Sequence, residues 1–164
     1  MNLDHQPDSS VGLTTRTPVQ ADLQWRRRTD SHDAHTVMRL LDAFSDIGGV
    51  VNGDTLATLL RERTGQPISL LAGWIVHRRV LSFSWHSKTF LPLFQFDLAL
   101  PQVRPGVLQL MAELRGVFDD LELADWFARP NSWLGDIAPA RLYVDNFPAV
   151  LHAARADRFV ALGH

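Results

Sequence analysis

From its first residue the chain runs through a polar stretch, a stretch of helical hydrophobic spacing, a stretch of alternation, and helical spacing again. Residues 1–33 carry few large apolar side chains and include Arg26-Arg27-Arg28-Thr29-Asp30. Such a segment buries too little surface to offset its ordering entropy, so a flexible arm is expected, able to dock through Leu23 and Trp25. From His35, Val37, Leu40, Leu41, Phe44 and Ile47 recur at spacings of three and four, which predicts an amphipathic helix. Asp33 is its expected N-cap and Gly48-Gly49 its stop. Asp54 is expected to cap a second helix, with Leu56, Leu59 and Leu60 inward and Gly65 ending it. Pro67 suits the first turn of a third, running to about Arg79 with Ile68, Leu71, Ala72 and Ile75 on one face.

At Val80 the period falls to two. Leu81, Phe83 and Trp85 alternate with Ser82, Ser84 and His86, which predicts a half-buried strand. A turn at His86-Ser87-Lys88 leads to a second strand with Phe90, Phe94 and Phe96 on one face. Pro92 lacks a ladder donor, so that strand is expected at an edge. Leu100-Pro101-Gln102-Val103-Arg104-Pro105 reads as a linker. Beyond it Val107, Leu110, Met111, Leu114 and Phe118 form one stripe, and Asp119 with Glu122 makes a capping box for a helix bearing Leu123, Trp126 and Phe127. Arg129-Pro130-Asn131 ends that helix, Trp133-Leu134-Gly135 makes a turn, and further helices open at Pro139 and at Asn146-Phe147-Pro148. The expected architecture is mainly α. A winged-helix or helix-turn-helix-like module with one β-hairpin spans 34–99, and a helical module spans 105–164.

Composition narrows the function classes. With 46% hydrophobic and 21% charged residues, the 164-residue chain can build an ordinary core. Cysteine is absent, which excludes disulfides, a thiolate nucleophile and cysteine-held zinc. No run approaches the roughly 18–20 apolar residues of a membrane helix, and Met1 to Ser10 is unlike a secretory signal, so a cytoplasmic protein is expected. The net charge of −2 disfavours DNA as the main partner. His77, His86 and His152 lack metal-ligand spacing, and no nucleophile elbow, phosphate loop or dinucleotide fingerprint occurs. Neither catalysis nor a cofactor is expected.

Two segments are distinctive: Phe90-Leu91-Pro92-Leu93-Phe94-Gln95-Phe96-Asp97, and Ala124-Asp125-Trp126-Phe127-Ala128-Arg129-Pro130-Asn131-Ser132-Trp133-Leu134-Gly135 with Pro139 and Leu142 downstream. Together, over roughly residues 50–164, they resemble the Xre/MbcA/ParS family of antitoxins. There a helix-turn-helix-like region leads into an fPxfQFD strand, and a helical toxin-binding domain carries W-x-x-x-P-N-x-x-L-G and a later proline. The motif positions here are Trp126, Pro130, Asn131, Trp133, Leu134, Gly135 and Pro139. Asp136 stands where the family often has a second glycine, and Tyr143-Val144-Asp145-Asn146 departs from its usual run.

The resemblance implies an antitoxin of a type II toxin–antitoxin pair. It would neutralise a RES-domain toxin, an enzyme that consumes NAD or transfers its ADP-ribose, by covering the cleft with the C-terminal segment. By position that segment is Arg155, Asp157, Arg158, Phe159 and the tail to His164. A carboxylate there would imitate the anionic substrate, and the arginines would pair with acidic rim residues. The plainer account makes Arg155, Asp157 and Arg158 the solvated face of a terminal helix, and Trp126 and Trp133 core residues with one hydrogen bond each. The alternative function is a DNA-binding autoregulator with a C-terminal dimerisation module. Arg61, Arg63, Arg78, Arg79 and Lys88 are its candidate phosphate contacts, yet the helix from Pro67 offers almost no side chain able to read a base edge. A homodimer or a hetero-oligomer with toxin is the expected assembly.

Overall fold

The computed structural model describes residues 32–163. The contacts divide the chain into two units, Met1–His35 and Thr36–His164. Of the first, only residues 32–35 are described, as helix; the rest of the expected arm lies outside the described residues.

Helix α1 covers residues 32–44, so Asp33 sits inside it and is not its N-cap. Its periodic residues Val37, Leu40 and Phe44 are buried. A 3-10 turn, Ser45–Ile47, follows and stops at Gly48 and Gly49, both at positive φ. Strand β1, Val50–Asn52, was not foreseen: three residues carry too little alternation to be read. Asn52 caps α2, Gly53–Leu60, by accepting from the Thr55 N–H, and Asp54 falls in the first turn instead. The helix ends at Leu60, well before Gly65, and Leu59 points outward at 44% exposure.

Helix α3, Pro67–Val76, starts at the expected proline. Its buried face is Leu71 and Trp74, and Ile68 and Ala72 face outward, the reverse of the expectation for those two. Trp74 decides the rotation, because its ring stacks on Phe96 with centroids 5.5 Å apart. Strand β2, Phe83–Trp85, turns at His86-Ser87 into β3, Lys88–Pro92. β3 is central, pairing antiparallel with both β2 and β1 in the order β1-β3-β2. Pro92 therefore does not mark an edge strand; it is tolerated because it is the last residue of β3, opposite Val50.

The expected linker is structured. Strand β4, Phe96–Asp97, pairs with β5, Gln102–Val103, and Asp97 accepts from the Ala99 and Leu100 N–H groups to close the turn between them. Val103 is buried, and Arg104 leads into α4, Pro105–Leu114. Helix α5, Asp120–Ala128, carries the expected Asp119–Glu122 capping box. The short α6, Pro139–Leu142, and the long α7, Phe147–Ala161, start at the expected prolines. Gly106 lets α4 approach α7, since a Cβ there would lie 3.2 Å from the Phe147 ring.

Residues from α1 through α7 share one hydrophobic cluster, so the two expected modules are not separate cores. Phe94 joins them: its ring meets Phe44, Phe127 and Tyr143. Ion pairs cross the same boundary, with Arg39 on Asp125 at 2.8 Å and Arg141 gripping both oxygens of Asp46. The molecule is mostly helical with small antiparallel sheets. Among the described residues no helix is long and apolar enough to cross a membrane.

Candidate protein-binding surface

The segment that resembles the antitoxin motif folds into a closed turn. Arg129-Pro130 stops α5, and the Asn131 side chain then caps a 3-10 turn, Ser132–Leu134, by accepting from the Trp133 N–H at 2.9 Å. Gly135 takes φ +63°, the left-handed region that favours glycine. Asp136 follows at φ +61°. The backbone therefore keeps the form that a second glycine would suit, and aspartate tolerates it better than most residues do. The Asp136 N–H donates to the Asn131 carbonyl at 3.0 Å, and the Asn131 N–H to Ile137, which closes the loop before the buried Pro139.

Three side chains of this segment meet one acid on α7. The indole Nε1–H of Trp126 and the amide Nδ2–H of Asn131 both donate to Asp157 Oδ2 at 2.7 Å. The indole Nε1–H of Trp133 donates to Asp157 Oδ1 at 3.0 Å. Both carboxylate oxygens are thus engaged by neutral donors, with no cation among them, and hydrogen bonds to an ionised acceptor are short and strong. Trp126 and Asn131 are buried, so for them Asp157 is the acceptor that makes burial tolerable. Asp157, expected at a partner contact, is bonded within the chain through both its oxygens and fastens α7 to the turn after α5.

The other expected contact residues divide. Arg155 Nε donates to Glu113 Oε1 at 2.9 Å, and Arg158 donates to Glu113 Oε2 at 3.4 Å. Both arginines remain about half exposed, but their charge is matched within the chain by an acid of α4. Phe159 is 58% exposed, and its neighbours Val160 and Leu162 are 64% and 51% exposed. His164 lies outside the described residues. Trp133 belongs with this group: its N–H is held by Asp157, yet the residue is 54% exposed and its ring stands edge-on to His152. The arrangement is an apolar tip on a helix whose last turns are fixed by Asp157 and Glu113, with a tethered tryptophan beside them.

The five candidate phosphate contacts differ in how they are engaged within the chain. Arg78 sits at φ +48° and is spent on Asp120 at 2.7 Å and on the Arg115 carbonyl. Arg61, Arg63, Arg79 and Lys88 are exposed and, among the described residues, carry no ion pair. Lys88 and Arg61 line adjoining hollows that share Asp54, Ala57 and Ile68, so acid and apolar groups lie between the two cations. Among the described residues no group of three histidine, aspartate or glutamate side chains is placed to hold a metal ion.

Sequence reasoning missed Glu113 and the role of Asp157. Glu113 gave no local signal, because its partners lie 42 and 45 residues away. For Asp157 a signal existed. Trp126 and Asn131, close in sequence, needed acceptors once buried, and α7 offers only this acid. Gln95 of the other distinctive segment is similar: fully buried, it accepts from the Leu81 N–H at 2.7 Å and donates to the Leu81 and Pro92 carbonyls.

Compared with family models, curated proteins and solved structures, the chain matches none.

Proposed function

We propose that the protein is an antitoxin that neutralises a RES-domain, NAD-consuming or ADP-ribosylating toxin by laying the end of α7 over its cleft. The observation that carries this reading is the exposed run Phe159, Val160 and Leu162 at the end of a helix braced by the Asp157 clasp and the Glu113 pairs. A helix end normally frays unless it is tied down. An apolar tip kept ordered in water suits a concave partner, because little further ordering entropy is lost on docking. The sequence resemblance supplies the partner class, and the second distinctive segment serves the brace, with Trp126 and Asn131 holding α7 through Asp157.

The test is co-expression with a RES-domain toxin, reading growth rescue and co-purification in high salt. Phe159→Glu, Val160→Glu and removal of residues 159–164 are expected to abolish both while leaving the melting temperature near wild type. Arg158→Ala should weaken binding modestly, because it also releases Glu113. Normal rescue by the truncated chain would refute the reading.

A second reading is favoured by one observation. The order α1-β1-α2-α3-β2-β3 with sheet order β1-β3-β2 is compatible with the expected winged-helix-like module, in which a DNA-binding autoregulator would use α3 as its recognition helix. Against it, the exposed face of α3 bears Ile68, Ser69, Ala72 and Val76, and only Ser69 among these can hydrogen-bond a base edge. Mobility shifts with the upstream DNA separate the two: sequence-dependent binding lost on reversing Arg61, Arg63 and Lys88 would put the regulator first.

A further inference from the structure

Helix α3 has two apolar faces and no charged residue between Pro67 and Val76. One face, Leu71 and Trp74, enters the core. A second side carries Ile68, Ala72 and Val76, at i, i+4 and i+8, the spacing of a helix–helix seam, while Ile75 between the two faces is partly buried against the core. Ile68 and Val76 are 74% and 75% exposed, the two most exposed of the large apolar side chains described. A helix apolar on both sides is normally covered on both. Among the described residues, the second side of α3 has no cover.

We infer that the missing cover is a second copy of the same helix, packed antiparallel across a two-fold axis. Three observations select a copy of this chain. The first is self-complementary shape. Ile68, 74% exposed, stands on the wall of a hollow of about 360 Å³ that Leu71, Ala72 and Ile75 of α3 also line, with Asn52, Ala57 and Thr89 from other elements. A knob and a hole on one patch are what an isologous contact requires.

The second is the small-residue centre of the seam, Ser69, Ala72 and Gly73, with open space around the Gly73 Cβ position. It lets two helix axes approach closely without a side chain having to move. The third is charge. The rim holds both signs, with Asp54, Lys88 and Arg61 on the hollows and Glu62 beside Arg61 on the chain. A two-fold axis can set unlike charges opposite each other, whereas a polyanion would meet Asp54 and Glu62. The uncharged helix adds no like-charge repulsion, and antiparallel pairing aligns the two helix dipoles favourably.

The inference is independent of the toxin reading, which uses α7. It competes with the DNA reading, since an α3 buried in a dimer cannot enter a groove.

The experiment is sedimentation of the full chain over the micromolar range, with Ala72→Glu and Val76→Glu alongside, each checked by circular dichroism and melting. Wild type is expected at twice 18.5 kDa, and the folded variants at 18.5 kDa, with dimerisation weakened by at least about tenfold, the scale of losing a buried interface anchor. Because the chain has no cysteine, Ala72→Cys provides a second reading that needs no charge in the seam. It should form an intermolecular disulfide on mild oxidation, and Leu100→Cys, at another exposed position, should not. A monomeric wild type overturns the proposal, as does a dimer that survives both glutamates. No preferential cross-link at Ala72 also overturns it, whatever the glutamate variants do.

Discussion

A single carboxylate governs the C-terminal part of the molecule. If Asp157 is replaced by alanine, the buried Trp126 indole and Asn131 amide lose their acceptor, and Trp133 loses its tether. Orphaning buried donors costs about 1–3 kcal/mol each, so with two of them Asp157→Ala is expected to lower stability by about 2–6 kcal/mol. Arg158→Ala, which removes one partly exposed pair, should cost less than about 1 kcal/mol. Urea denaturation of the two variants distinguishes a clasp from a solvated acid: equal midpoints would contradict the role given to Asp157. Tyr143 makes a second residue-level prediction. Its buried hydroxyl donates to the Phe94 carbonyl at 3.2 Å. Burial raises the phenol above its ordinary value of 10.0, and the neighbouring Arg104 only partly opposes the rise. The unfolded chain therefore ionises first as pH rises. The stabilisation is full below about pH 10 and is lost as pH climbs through the raised value in the folded state. Tyr143→Phe should cost about 1 kcal/mol at neutral pH and flatten the alkaline fall in melting temperature.

At the scale of elements, what could be read from the residues depended on how local the deciding physics was. The starts of α3, α4 and α6 follow from prolines that fit a first turn, and the start of α5 from a capping box whose two partners are three residues apart. The rotation of α3 was not legible, because the helix is apolar on all sides and only the distant Phe96 ring tells which side is inner. Strands β1, β4 and β5 are two or three residues long, too short to show a period, and they exist because α1 and α4 deliver them to β3 and to each other. The distinctive segments were found by their residues, but what those residues do was not. Gln95 reaches Leu81 across 14 positions and Trp126 reaches Asp157 across 31, and no spacing rule spans such gaps.

At the scale of the whole molecule, the shared core has a practical outcome. A fragment beginning at Arg104 would lose Phe44, Trp74, Phe94 and Phe96 from the cluster. It would also lose the Phe94 carbonyl that accepts from Tyr143 and the Asp46 partner of Arg141. It is expected to be poorly helical and prone to aggregate. A soluble fragment with full helical dichroism and a cooperative melt would show that the C-terminal half holds enough core of its own. The same architecture bears on how the protein is made. Asp46 meets Arg141 across 95 residues, and Arg39 meets Asp125 across 86. A ribosome that adds about 5–20 residues per second needs some 5–20 s to deliver the later partner after the earlier one. Throughout that interval Val37, Leu40 and Phe44 of α1 have been synthesised but lack the later helices of their core. The nascent chain then exposes apolar surface to proteases and to chaperone capture, a hazard that the stability of the finished fold does not remove.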